Sequence, residues 1–128
     1  MVRKNKIRSI KAFTKSFGYA LKGFLFMLKD ERNFKVQLFI ALIALALGIY
    51  FPLQNIEWIL LILCIAMVLS AEMINTAMER IINEIHPNYN SKAKAIKDIA
   101  AGAVLVLSIA SLIIGLIIII PYFLAILS

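Results

Sequence analysis

Three long apolar stretches occupy most of the chain after residue 33. The first runs from about 33 to 52 and is polar only near its start. The second begins near 56 and continues, with polar insertions, to about 85, and the third is almost uninterrupted from about 99 to 127. Because about 20 apolar residues suffice to span a bilayer as a helix, we predict transmembrane helices over about 33–52, 56–85 and 92–126.

A further helix is predicted ahead of these spans, over about 7–29. Six large apolar residues recur there at intervals of three and four and fall within an arc of about 80°: Ile10, Phe13, Phe17, Leu21, Phe24 and Leu28. Basic residues lie on the flank of that arc, a pattern typical of helices that lie in the membrane surface. The predicted fold is an all-α membrane protein, one domain over 1–128, with an amphipathic surface helix and three transmembrane helices.

The composition supports a membrane location. The 128 residues are 62% hydrophobic and 16% charged, against roughly 45–50% and about 25% in soluble domains. A soluble chain of this size could not bury so much apolar surface, so a soluble enzyme is excluded. The single cysteine and single histidine exclude a disulfide framework, a cysteine-rich metal site and a two-histidine zinc motif.

The distribution of basic residues predicts the orientation. Residues 1–35 hold ten lysines and arginines, the loop over 52–57 holds none, and the segment 80–97 holds four. Cytoplasmic segments carry the excess of Lys and Arg, so we expect the N-terminus and the second loop in the cytoplasm and the C-terminus outside. The same bias explains the net charge of +7 without a nucleic-acid partner.

The second span carries polar residues that a plain anchor does not need. Glu72, Asn75 and Glu79 follow a spacing of three and four, which places them on one face within about 60°. Ionisable residues inside membrane helices are functional unless they are paired. A buried hydrogen bond between helices is the alternative interpretation, but two acids and an amide in one row exceed what such a bond requires.

Further charged residues lie at the ends of the other spans, at the same predicted level. Glu31 precedes the first span, and Lys97 and Asp98 precede the apolar part of the third. Carboxylate oxygens suit Mg²⁺, which proteins hold with one or two carboxylates together with substrate phosphates. The chain has neither a P-loop nor a kinase glycine loop. These residues predict an acidic, metal-binding site at the cytoplasmic face, and they do not define a substrate.

Four segments resemble the prokaryotic diacylglycerol kinase family: Glu72-Met-Ile-Asn75-Thr-Ala-Met-Glu79, Ala95-Ile-Lys97-Asp98-Ile-Ala-Ala-Gly-Ala-Val, Glu31-Arg-Asn-Phe34 and Gly18-Tyr19-Ala-Leu-Lys-Gly23. The resemblance covers about residues 10–125. It implies a homotrimeric kinase of the bacterial inner membrane that moves the γ-phosphate of ATP to the hydroxyl of a membrane lipid, with Mg²⁺. Its active sites lie between protomers on the cytoplasmic side.

The resemblance also implies a role for each matching residue. Glu72 corresponds to the general base near the lipid hydroxyl, and Glu31 and Glu79 to the ligands that hold Mg²⁺ with the nucleotide. The remaining residues implied to contact ATP are Tyr19, Asn75, Asn88, Tyr89, Asn90, Lys97 and Asp98.

Two positions depart from the best-studied branch of the family. An arginine of the surface helix reaches ATP in that branch. The position here is Ala12, and we assign the ATP contact to the neighbouring Lys11, which is a point charge rather than a bidentate fork. That branch also has a glutamate where this chain has Gln37, which we interpret as a branch marker.

The acceptor lipid stays open between two alcohols. One branch phosphorylates diacylglycerol to phosphatidic acid, and another phosphorylates undecaprenol to undecaprenyl phosphate. Ile56-Glu57-Trp58 and Glu31-Arg-Asn-Phe34 resemble the undecaprenol kinase branch more closely. Two other classes of function remain as alternatives to a lipid kinase: a small ion-coupled transporter and a non-catalytic subunit of a membrane assembly.

Overall fold

The computed structural model describes residues 2–128, with side chains from residue 9 onward. These residues form four α-helices: α1 (Val2–Asp30), α2 (Arg32–Tyr50), α3 (Asn55–Ile85) and α4 (Ser91–Leu127). The three later helices are long and apolar enough to cross a membrane. The predicted all-α class with one leading helix and three spans is therefore confirmed.

The chain divides into two compact units, one that ends at Lys35 and one from Val36 to Ser128. The first unit contains α1 and the first residues of α2. Four of the six apolar residues that the sequence placed on one face of α1 are more than half exposed: Ile10, Phe13, Phe17 and Leu21. Phe34 is fully buried, and its ring meets that of Phe24 edge-on at a centroid distance of 5.3 Å.

The second unit is built from three helices, and each runs antiparallel to the one before it. Gln37 near the start of α2 bonds to Glu72 in the later half of α3, so these two helices run in opposite directions. Likewise, Lys97 near the start of α4 bonds to Asn83 near the end of α3. Short connections over 51–54 and 86–90 join the helices, as expected for antiparallel neighbours.

One end of this unit is fixed by a carboxylate that accepts two hydrogen bonds. Glu57 Oε2 accepts from the backbone N–H of Gln54 at 2.7 Å, which satisfies a donor at the start of α3. The same oxygen accepts from the hydroxyl of Tyr122 at 2.6 Å. The Tyr122 ring stacks on buried Phe51 at 5.5 Å, so the start of α3 and the end of α4 are held together.

The lengths of the helices differ. The 31 residues of α3 extend about 46 Å at about 1.5 Å per residue, which exceeds the hydrocarbon core of about 30 Å. The 19 residues of α2 extend about 28 Å and match that core. One end of α3 must therefore project beyond the apolar layer, and all charged residues of α3 except Glu57 lie in its C-terminal half.

Gly48 allows α2 to approach α3 closely. A Cβ atom at this position would lie 3.0 Å from the ring of Trp58, 3.1 Å from Leu53 and 3.2 Å from Leu61. A rigid ring so close leaves no room for a larger side chain. A Cβ atom at Gly115 on α4, by contrast, would meet nothing within 4 Å.

We therefore expect Gly48→Val to lower the free energy of unfolding by about 1–3 kcal/mol, the usual cost of overpacking. Unfolding of the purified protein in detergent micelles measures this change. Gly115→Val is the matched control, because it adds the same groups to a helix interior without the contacts. Equal destabilisation at both positions would contradict the assigned close approach.

Candidate functional site

The polar row of α3 runs from a buried end to an exposed end. Glu72 is only 4% exposed and Thr76 only 5%. Asn75 is half-buried, and the side chain of Glu79, two turns beyond Glu72, is 49% exposed. One face of a single helix thus presents a desolvated carboxylate and a solvated one about 10 Å apart along the axis.

Glu72 is held by an amide on the neighbouring helix. The Nε2 atom of Gln37 donates a hydrogen bond to Glu72 Oε2 at 3.2 Å. A buried carboxylate is tolerated when it is hydrogen-bonded, and an amide provides the bond without adding a charge. Gln37, which sequence comparison treated only as a branch marker, is therefore part of the site.

At the exposed end of the row, Lys97 connects α3 and α4. Its Nζ atom lies 3.6 Å from Glu79 Oε1 and donates a hydrogen bond to Asn83 Oδ1 at 3.0 Å. The Lys97 side chain is 33% exposed, so part of the ammonium group remains accessible. The structure thus brings together two residues that the sequence placed in one site, Glu79 and Lys97.

Asp98 lies next to Lys97 along α4 but makes a different contact. Its carboxylate pairs with Lys94, one turn earlier on the same helix, at 2.5 Å. Both side chains are more than half exposed. A surface pair of this kind is rearranged at little cost, so Asp98 remains available to a ligand.

The predicted nucleotide-contacting stretch forms the connection between α3 and α4. Asn88 is exposed and Tyr89 is 83% exposed. Asn90 is the N-cap of α4, and its side-chain oxygen accepts hydrogen bonds from the backbone N–H groups of Lys92 and Ala93. Asn90 therefore has a structural role that the sequence interpretation did not assign to it.

Three predicted site residues belong to the unit that ends at Lys35. Tyr19 is 67% exposed, and the ammonium group of Lys22 lies 5.8 Å from the centre of its ring. Lys11 is an exposed residue of α1. Glu31 lies between α1 and α2, is half-buried, and takes part in an interaction of its own.

Metal binding by the chain alone would rest on few groups. Among the residues that the structure describes, no three side chains of His, Cys, Asp or Glu converge on one point. The exposed carboxylate of Glu79 is a hard oxygen donor of the type Mg²⁺ prefers, and Mg²⁺ in phosphate sites takes most of its other ligands from phosphate and water. The donor chemistry therefore fits a magnesium ion that arrives with a nucleotide.

An apolar groove of about 470 Å³ runs along the second unit between its three helices. Gln37 lies at one end of it, next to Glu72, and Ile119 at the other. Small side chains line much of its length: Ala41, Ala44, Cys64, Ser108, Ser111 and Gly115. The groove therefore leads along the helices to the buried carboxylate.

The sequence predictions did not assign Gln37 or Asn83 to the site. Gln37 is a polar residue near the start of an apolar span, and this unusual position could have identified it as a site residue. Asn83 lies one turn beyond Glu79 on α3 and anchors Lys97, but nothing in its sequence context distinguishes it from a solvated surface residue.

Comparison with known proteins places this arrangement in context. The sequence profile of the prokaryotic diacylglycerol kinase family matches residues 18–119. The chain is 38% identical over 121 residues to the undecaprenol kinase of Bacillus subtilis (strain 168), covering 94% of this chain and 98% of that protein. It is 32% identical over 115 residues to a diacylglycerol kinase of Synechocystis, covering 89% and 66%. It is 27% identical over 99 residues to that of Escherichia coli K12, covering 77% and 81%.

Proposed function

Because the chain belongs to the prokaryotic diacylglycerol kinase family, we propose that it transfers the γ-phosphate of ATP to the hydroxyl of a membrane lipid, undecaprenol or diacylglycerol. The observation that carries this proposal is the polar row of α3, which joins a buried carboxylate beside an apolar groove to an exposed carboxylate beside a lysine. A lipid alcohol needs the first environment and a nucleotide phosphate needs the second.

Glu72 is the proposed general base. It is nearly excluded from solvent and lies beside the end of the groove, where the hydroxyl of a lipid whose chain follows the groove would arrive. Phosphoryl transfer depends mainly on positioning and on neutralising charge. Glu72 takes the proton of the hydroxyl while the lipid oxygen bonds to the γ-phosphorus, and the bond to the departing ADP oxygen breaks.

The nucleotide end is assigned to the exposed part of the row. Lys97 supplies a positive charge for phosphate oxygens, and Asp98 and the connection over 88–90 lie near it in sequence. Mg²⁺, when bound, neutralises phosphate charge, and Glu79 and Glu31 would hold it. Asn75 lies between Glu72 and Glu79 on the row and is assigned to the phosphate being transferred. Tyr19 and Lys11 are proposed to contact the nucleotide from α1.

The family and the distribution of charge also support a proposed location and assembly. The proposed site lies on the cytoplasmic side of a bacterial inner membrane, and the basic N-terminal segment and the four basic residues over 80–97 support this side, because cytoplasmic segments carry the excess of Lys and Arg. Only 11–17% of the most apolar stretch of each span is buried within one chain. The remaining apolar surface is available to lipid and to neighbouring copies. A homotrimer with sites shared between protomers fits this surface. Neither a transporter nor a non-catalytic subunit is favoured.

Glu72→Gln tests the assignment of the base. The amide keeps the size of the side chain but cannot take a proton, so we expect kcat to fall by about 100-fold or more, with the oligomeric state and unfolding midpoint unchanged. Transfer from radiolabelled ATP to lipid in mixed micelles gives the rate. Glu84→Gln, an exposed acid on the same helix, is the matched control and should retain activity. Full activity of Glu72→Gln would contradict the assignment.

Lys97→Met tests the nucleotide end. Removal of the ammonium group should raise the KM for ATP by about 10-fold or more, since a hydrogen bond to a charged group is worth about 1.5–3 kcal/mol, while the KM for lipid stays unchanged. Lys92→Met, on the same helix and exposed, serves as the control. An unchanged KM for ATP, or an equal rise for both substrates, would place the nucleotide elsewhere.

The acceptor is tested by offering both lipids to the purified protein with Mg²⁺-ATP. We expect the kcat/KM for undecaprenol to exceed that for diacylglycerol, because the undecaprenol kinase relative is more similar to this chain than the diacylglycerol kinases compared above. A higher value for diacylglycerol would reverse the acceptor assignment. Transfer to neither lipid would refute the kinase and direct attention to solute flux across liposomes.

A further inference from the structure

Only one of the two polar atoms in the Gln37 side chain has a hydrogen-bond partner in the part of the chain that the structure describes. Its Nε2 atom donates to Glu72. Its Oε1 atom is buried and has no hydrogen-bond partner among the residues that the structure describes. Buried polar atoms in native proteins are nearly always paired, and an exception calls for an explanation such as a catalytic role.

The position of this unpaired oxygen limits which groups can donate a hydrogen bond to it. Gln37 lies at the end of the apolar groove, and the polar side chain that it contacts is Glu72. On α3, the groove lining next to the contact is apolar at Leu69, one turn before Glu72. Ser108 and Ser111 line the groove from α4, but neither donates a hydrogen bond to Oε1 in the structure. The group best placed to supply a donor to Gln37 is therefore the Glu72 carboxyl itself, once it carries a proton.

We propose that Gln37 is a positioning residue whose amide holds the Glu72 carboxyl in both of its protonation states. This inference rests on the proposed function, in which Glu72 accepts the proton of the lipid hydroxyl. Before transfer, the Nε2 hydrogen of Gln37 bonds to the carboxylate. After transfer, the amide turns and its Oε1 accepts the new O–H of the carboxylic acid.

In the transfer, each bond that forms is matched by one that breaks. The O–H bond of the lipid alcohol breaks and its proton forms an O–H bond on Glu72. The lipid oxygen bonds to the γ-phosphorus of ATP, and the electron pair of the breaking phosphorus–oxygen bond leaves on ADP. Glu72 then returns the proton to water, and the amide resumes its first orientation.

An amide is well suited to this role. It carries one acceptor oxygen and a donor NH₂ group, and its terminal torsion is broad and roughly two-fold, so the turn meets little resistance. An ammonium group offers only donors, and an ionised carboxylate offers only acceptors. Among neutral groups of the same reach, a thioether offers no donor at all.

Gln37→Met is the decisive variant because it preserves the length of the side chain and removes the donor. We expect kcat to fall by about 10–100-fold, the loss typical for residues that orient a functional group, while the KM values for ATP and for lipid and the unfolding midpoint stay near those of wild type. Val36→Met is the matched control. Val36 is the neighbouring residue of α2, 52% exposed, and its substitution should leave all four quantities unchanged.

Gln37→Glu provides the rescue experiment. A carboxyl group that shares one proton with Glu72 offers a donor and an acceptor at once, so this variant should retain more activity than Gln37→Met. Unchanged kcat in Gln37→Met would overturn the proposal. So would equal losses in both variants, or a parallel loss of kcat, both affinities and thermal stability, since each indicates packing rather than hydrogen bonding.

Wild type and Glu72→Gln are measured beside these variants. An active wild type with an inactive Glu72→Gln supports the proposed function, and unaffected Gln37→Met kinetics would then refute only the role of Gln37. An inactive wild type, or a fully active Glu72→Gln, would instead refute the function on which the inference rests.

Discussion

The architecture depends on keeping a carboxylate inside a helix long enough to cross a membrane. An ionisable side chain costs about 2.5–3.5 kcal/mol at the centre of a bilayer, and Glu72 is almost fully buried within the chain. The hydrogen bond from Gln37 supplies the partner that such a group requires. Because the bond joins α2 to α3, it also fixes the place at which the apolar groove meets a polar group.

The length and register of α3 explain how one helix could serve two unlike substrates. Glu72 and Glu79 lie on the same face, two turns apart. Glu72 is only 4% exposed as a residue, whereas the side chain of Glu79 is 49% exposed. A lipid alcohol is confined to the apolar layer, whereas a nucleotide is confined to water, so a phosphoryl transfer between them needs a boundary. Lys97 contacts Glu79 and Asn83 and so joins α4 to the solvent-exposed end of the polar row on α3. The proposed nucleotide contacts belong to this end.

The sequence predicted the four helices because their signals are strong: spans of about 20 apolar residues and a repeat of three and four in α1. The shared face of Glu72 and Glu79 also followed from helical geometry alone. The bond between Gln37 and Glu72 did not, because the residues are 35 positions apart and their contact depends on how two helices rotate against each other. The cap formed by Asn90 agrees with the general preference of Asn for the N-cap position, so the sequence could have predicted it.

The central claim, that phosphate passes to lipid at the end of the spans that carries the basic segments, is tested most directly by sidedness. The protein would be reconstituted into sealed vesicles, and the fraction of molecules with an outward-facing N-terminus would be determined by protease cleavage. ATP would then be added only outside. The account predicts that the lipid phosphorylated is proportional to the fraction with the N-terminus outward. Phosphorylation proportional to the opposite fraction would contradict it.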